Sequence, residues 1–312
     1  MPAMPQDART PSPARTPRPL VGIGCVIGAA ALWGTTGTSQ ALAGGSLPSL
    51  WFGALRLLFA AMFFAVFAAS TGALKREAWL RLAPLDVLGT GLCMAVYNLA
   101  FFAGVRLTGV GTGTAIALGS GPIWAGLLQA LFQRQMPSAA WWLGTGVAIA
   151  GGVLLSAGGG ALSFSAGGML LCLAAGLSYA VYTLLNKRMV AQAPAAAITL
   201  AAFGIAALIS LPAALLQAGL PAVGARDLLA TAYTGIVTAG VGYLLFSHAL
   251  HHIAPATGVT LALTEPVVAF ALAVLVLGEP AGFSAVAGLA LVVAGVLGVV
   301  RVELGAGGRS HP

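Results

Sequence analysis

Charge is scarce in this sequence. Lysine and arginine together number 14, and aspartate and glutamate 7, so only 7% of the 312 residues are charged. Soluble domains carry about 25%, and a water-soluble globule is therefore excluded. Cysteine is nearly absent as well. Cys25, Cys93 and Cys172 each fall inside an apolar run, which argues against a disulfide framework or a CxxC metal site. They read as packing residues, and neither a metal nor a cofactor is expected. The glycine-rich stretch "GVGTGT" lacks the lysine of a phosphate loop, so nucleotide binding is not expected. The basic residues stand singly or in pairs without interleaved aromatics, which argues against a nucleic-acid partner.

What is abundant is apolar surface. Hydrophobic residues make up 59% of the chain and the mean hydropathy is +0.98. The 43 glycines and 17 prolines fit transmembrane helices, which tolerate both better than soluble helices do. Crossing a bilayer takes about 20 apolar residues. Cutting at charges, prolines and glycine-rich turns predicts ten spans: 20–42, 48–70, 84–105, 108–132, 140–158, 166–188, 194–218, 227–250, 254–277 and 282–302. Residues 1–19, rich in proline and arginine, are expected to be a disordered tail, and 303–312 a second tail. The first apolar run has no clear cleavage site and reads as a span, not a signal peptide.

With the amino terminus in the cytoplasm, 11 of the 14 basic residues fall on the cytoplasmic side and only Arg106 and Arg226 on the other, with Arg56 inside a span. That bias follows the positive-inside rule. Both termini are then cytoplasmic, as an even number of spans requires.

The chain also repeats itself. "LGTGVAIAGGVLL" (143–155) lies over "AGLALVVAGVLGV" (287–299) at a shift of 144, matching Gly144 to Gly288 and Gly151 to Gly295. The same shift sets Pro122 on Pro266, and a shift of 146 sets Trp33 on Tyr179. Five spans form an odd repeat, so the two copies must insert in opposite orientations. The expected fold is an all-α membrane protein of ten transmembrane helices in two inverted five-helix repeats, 20–158 and 166–302. Many secondary transporters share that plan, with substrate bound near the midplane between the halves.

The residues that follow this plan are "AALWGTTGTSQ", Arg56, "NLAFFAGVRLTGVGTGTAIALGSGPIW" and "YLLFSHALHHIAPATGVTLALTEPVVAFALAVLVLGEP". Together they resemble the ten-helix proteins of the drug/metabolite transporter superfamily that carry two EamA-type repeats. The resemblance spans residues 20–302 and implies a bacterial inner-membrane carrier that exports amino acids or related metabolites by alternating access. A narrower similarity is to the YddG type of aromatic amino-acid exporter. The first half departs from the pattern, with Gly121 where the second has Glu265 and Gln135 where it has Glu279. A symmetric pair of carboxylates is thereby put in doubt.

Candidate site residues come from polar and aromatic groups inside spans. Trp33, Thr36, Gly37 and Gln40 form one face at helical spacing, which in lipid should turn inward. Tyr97, Asn98, Phe101, Ser120, Tyr179, Tyr182, Tyr243 and Glu265 complete the substrate-cavity set. Glu265 lies about 12 residues from either end of its span. It is expected to be protonated, to meet a substrate ammonium, or to pair with Arg56, with proton coupling following from the first of these. Arg56 itself is the structural ion-pair candidate, with snorkelling to the outer surface as its other structural reading. Pro122, beside Gly121, and Pro266 are expected hinges. Pro266 should strip the carbonyl of Ala262 of its helical partner and push Glu265 out of helical φ/ψ. The blander alternative is a kink healed by neighbouring side chains.

His248, His251 and His252 read as surface residues without a metal. The small-residue ridges Gly144/Ala148/Gly152/Ser156 and Ala290/Ala294/Gly298 are expected to allow close helix packing, within the bundle by default, with monomer and homodimer both open. A small-molecule substrate and the lipid bilayer are the expected partners, and no catalytic residue is assigned. Two rival readings remain: a receptor or scaffold, which lacks a soluble domain to signal through, and an intramembrane hydrolase built on Ser120 and His248, which lacks a second acid.

Overall fold

A computed structural model of the chain describes residues 18–44, 47–157, 165–278 and 280–307. Of the expected tails 1–19 and 303–312, residues 1–17 and 308–312 lie outside the described residues, as does Glu279. Ten crossing helices follow in order: α1 Pro19–Ala43, α2 Ser49–Ser70, α3 Pro84–Thr108, α4 Val110–Gln133, α5 Ala139–Ala157, α6 Ala166–Val190, α7 Ala195–Ala218, α8 Ala225–Ala249, α9 Pro255–Leu275 and α10 Phe283–Gly307. A single helical turn, Arg76–Trp79, sits between α2 and α3. Among the described residues, nine of the ten meet the length and apolarity of a span, and α5 supplies the shorter apolar stretch Ala139–Leu155. The last helix continues past the expected end of its span, through residues 303–307.

Helix formation here is driven by the solvent. No water is available in hydrocarbon to satisfy a backbone group, so each span closes its own hydrogen bonds. Helices stop where proline or glycine resets the backbone. Proline opens α1, α3 and α9, where its missing N–H costs nothing. Gly109 alone links α3 to α4, at φ 83° and ψ 154°; a side chain there would be strained.

The packing carries the two-fold plan. Helix α1 lies against α8 and α9 of the other half, and α6 lies correspondingly against α3 and α4. Helices α2 and α7 pair across the centre, as do α5 and α10. At the α5–α10 crossing, a Cβ on Gly151 would meet the carbonyl of Gly288 at 2.6 Å, and one on Gly288 the carbonyl of Gly151 at 2.7 Å. Gly144 and Gly295 face each other in the same way.

This seam corrects the ridge expected from four-residue spacing. Ala290 and Ala294 are exposed, and Gly152 has open space before it. The buried row of α10 is Gly288, Val292, Gly295 and Val299, matched by Gly144, Ala148 and Gly151 on α5. A helix turns every 3.6 residues, so a straight contact line alternates steps of four and three.

The two halves differ in helix quality. Helix α4 is continuous, with Pro122 buried inside it. Its counterpart α9 is α-helical over Pro255–Leu261, tightens to a 3₁₀ turn at Ala262–Thr264, and resumes over Glu265–Leu275. The expected effect of Pro266 is therefore corrected on two counts. Glu265 keeps helical angles, φ −53° and ψ −52°, and its own N–H donates to the carbonyl of Ala262. The tightened turn moves the acceptor's partner from i+4 to i+3, so the carbonyl is not left free. Helix α8 is also interrupted, by a π-helical stretch at Thr234–Val241 ahead of Gly242.

Candidate functional site

A cavity of about 240 Å³ lies among α1, α2, α3, α4, α6, α8 and α9. Its wall from α1 is Trp33, Gly34, Thr36, Gly37 and Gln40. These residues share one face because their spacing follows the helical turn. Helix α1 approaches α9 closely enough that a Cβ on Gly34 would sit 2.8 Å from the carbonyl of Glu265, which brings Glu265 to this wall. Helix α3 contributes Tyr97, Asn98, Phe101 and Phe102, and α2 contributes Arg56.

The aromatic side chains form a continuous floor. Trp33 packs on Tyr243 and Phe246 with ring centroids 4.9 and 5.5 Å apart. Tyr179 stands edge-on to Trp33 at 6.4 Å and links it to Tyr97 at 5.5 Å. Behind them Tyr182 stacks on Tyr179, and Asn186 Nδ2 donates both to the Tyr182 hydroxyl at 3.0 Å and to Ser247 Oγ at 2.8 Å. Deeper still, toward the bundle end that bears Lys187 and Arg188, polar side chains tie down the α8–α9 connection. Lys187 Nζ donates to the carbonyls of Leu250 and Ile253. Glu303 accepts from the N–H of Ala254 and the hydroxyl of Thr257, and Gln129 Oε1 accepts from the N–H of Ala256. These bonds satisfy the orphan groups at the end of α8 and the start of α9.

Nine of the eleven sequence-derived cavity residues thus line one space: Trp33, Thr36, Gln40, Tyr97, Asn98, Phe101, Tyr179, Tyr243 and Glu265. Ser120 and Tyr182 do not. Ser120 donates to the carbonyl of Ala117 and is packed where a Cβ on Gly176 would collide with it. Tyr182 is fully buried behind the floor. Phe102, Leu118, Ala262 and Ala269 also line the cavity and carried no polar signal of their own; Thr114, in "GVGTGT", lines it too, and its hydroxyl is a polar signal missing from the expected set.

Arg56 is the largest revision. Expected to snorkel to the outer membrane surface or to pair with Glu265, it instead lines the cavity with its Nε buried. It makes no ion pair with Glu265: the ion pair found among the described residues is Arg188 with Asp86, at 3.6 Å. Other buried polar atoms without a partner stand on the same walls, including Asn98 Nδ2, Tyr179 OH and Trp33 Nε1. Ser120 and His248 belong to separate groupings, since His248 stands edge-on to His251 and His252 beside the α8–α9 connection. No metal-binding cluster occurs among the described residues.

Two inverted helical repeats enclosing a polar-aromatic cavity define a multi-pass membrane protein of the transporter type. The chain belongs to the EamA-like transporter family, whose profile matches residues 20–157 and again 166–301. It is 38% identical over 275 residues to the "Uncharacterized transporter YwfM" of Bacillus subtilis (strain 168), covering 87% of this chain and 91% of that one. A solved crystal structure of a protein 21% identical superposes with a TM-score of 0.75, covering 91% of this chain and 98% of the other. That likeness concerns the fold alone.

Proposed function

We propose that the protein is a secondary transporter that exports amino acids, including aromatic and other apolar ones, across a bacterial inner membrane by alternating access. Both termini then face the cytoplasm, and the strongly basic end of the bundle is the cytoplasmic one. The observation that carries this reading is the cavity itself. Its volume, about 240 Å³, falls below the 300–1,000 Å³ usual for drug-sized ligands, which favours a small metabolite. Its wall combines flat rings with a few polar groups, matching a ligand that has an apolar side chain and a polar backbone. The aromatic floor and the tied α8–α9 connection are read as the closed cytoplasmic gate of an outward-directed cavity. The two repeats, 20–158 and 166–302, are read as the bodies that rock against each other.

Exchange of labelled amino acids in liposomes containing only this protein tests the reading. Counterflow of leucine or phenylalanine is the expected result; exchange of no amino acid defeats it and leaves the scaffold reading. Direction is read by repeating the assay in everted vesicles. Glu265 is read as the group that couples export to protons, because it is an isolated carboxylate on the cavity wall. Glu265→Gln should abolish the response to an imposed pH gradient while a weakened downhill exchange remains measurable, and an unchanged response removes Glu265 as the proton carrier.

A further inference from the structure

The cavity holds two opposite charges that form no ion pair with each other or with any other described side chain. Arg56 comes from α2 and Glu265 from α9, so the two charges stand on walls contributed by different halves of the protein. Neither side chain makes an ion pair or a hydrogen bond to a described residue. An isolated charge inside a membrane bundle is costly and persists where water or a ligand compensates it. A cation and an anion on walls from different halves, without an ion pair between them, compensate a ligand that carries both signs.

The donors sort in the same sense. Asn98 is 3% exposed, and its Nδ2 lacks an acceptor, as does the buried Arg56 Nε. Both residues belong to the α2–α3 seam: a Cβ on Gly53, one turn from Arg56, would stand 2.8 Å from Asn98 Nδ2. This wall therefore presents donors with nothing to donate to. Arginine's fork of N–H groups matches a carboxylate. The wall around Glu265 offers an acceptor in return, while Tyr97, Phe101 and Phe102 supply flat apolar surface between them.

We infer that Arg56 and Asn98 bind the carboxylate of a zwitterionic substrate while Glu265 binds its ammonium group, so that the two repeats grip opposite ends of one ligand. This deepens the amino-acid reading above and rests on it. It assigns Arg56 to substrate binding, where the sequence placed it in a structural role. It also gives a physical link between substrate and rocking: a ligand bridging α2 and α9 pulls the two halves together only when it carries both groups. Removing either group leaves one wall charge uncompensated.

The test needs the full-length protein in liposomes and two probe sets. L-leucine and L-phenylalanine are each compared, as competitors of counterflow, with their methyl esters, which lack the carboxylate, and their N-acetyl derivatives, which lack the ammonium. Wild-type protein should prefer each amino acid over both derivatives by at least tenfold, and this outcome needs no variant to fold. Arg56→Gln should then lose selectivity against the methyl ester and retain it against the N-acetyl form; Glu265→Gln should do the reverse. If wild-type protein exchanges the amino acids and accepts either derivative equally well, the clamp is overturned and amino-acid transport stands. The same holds if both variants keep the full pattern of selectivity. If neither amino acid exchanges with wild-type protein, the amino-acid reading and the clamp fall together.

Discussion

Helices α3 and α4 of the first half and α8 and α9 of the second occupy equivalent places, yet they are built differently. Helix α4 is an unbroken helix around Pro122, joined to α3 by Gly109 alone. Helix α8 carries a π-helical stretch, α9 a 3₁₀ turn, and their connection is tied by Lys187, Glu303 and Gln129. The repeat therefore supplies a common scaffold, and the second half adds the local irregularities. Those irregularities cluster where Tyr243 and Glu265 reach the cavity, in keeping with the frequent placement of π-bulges at functional sites. Symmetry holds at the α5–α10 seam and is relaxed at the cavity wall.

The largest expected effect attacks the symmetric part. Gly151→Leu and Gly295→Leu each drive a side chain into the backbone of the facing helix, at a cost of about 3 kcal/mol or more. Because the positions are equivalent, both should lose folded yield on size-exclusion chromatography to a similar degree. A variant tolerated at one position only would show that the seam is not shared equally.

A smaller effect is expected where the halves diverge. Glu303→Ala strands the N–H of Ala254 and the hydroxyl of Thr257, costing about 1–3 kcal/mol. That should loosen the α8–α9 connection and raise the maleimide labelling rate of a single cysteine at Ser247 about tenfold, since 1.4 kcal/mol is tenfold in an equilibrium. An unchanged rate would mean that this connection does not guard the floor.

The prolines sharpen the contrast further. Pro266→Ala restores a donor beside Glu265 and permits a regular helix, which should shift the carboxylate and slow exchange several-fold. Pro122→Ala sits within an already continuous helix and should change exchange less than about twofold, given the small reach of such a repair. Equal effects would erase the functional difference between α4 and α9. The least drastic change is Gly53→Ala, whose Cβ would press on Asn98 and Phe102. It should weaken substrate competition by a few-fold, with thermal stability changed little if the Phe102 ring swings aside. No change in competition would detach Asn98 from the binding wall.

The spans were legible in the sequence because lipid leaves a helix little choice. Each predicted segment overlaps an observed helix, with ends that coincide or are displaced by at most three residues, and only the last helix runs farther, to Gly307. The inward face of α1 was legible for the same reason: a polar stripe in lipid turns away from it. Ser120 gave an equally polar signal, but it satisfies itself on the carbonyl of Ala117 within its own helix, and spacing alone does not separate those cases. The Ala290/Ala294 ridge failed because composition identifies small residues without their rotation about the axis.

By itself, then, the sequence determined the helices, their number and the internal repeat, all of which depend on interactions along one segment or between identical segments. Tertiary structure decided what depends on rotation and register between segments. It put Arg56 on the cavity wall instead of the outer surface, kept it from pairing with Glu265, moved Tyr182 behind the aromatic floor, and gave the Ala262 carbonyl a new partner. The physical reason is that hydrocarbon dictates backbone hydrogen bonding span by span, whereas helix facing is set by the packing of side chains between spans.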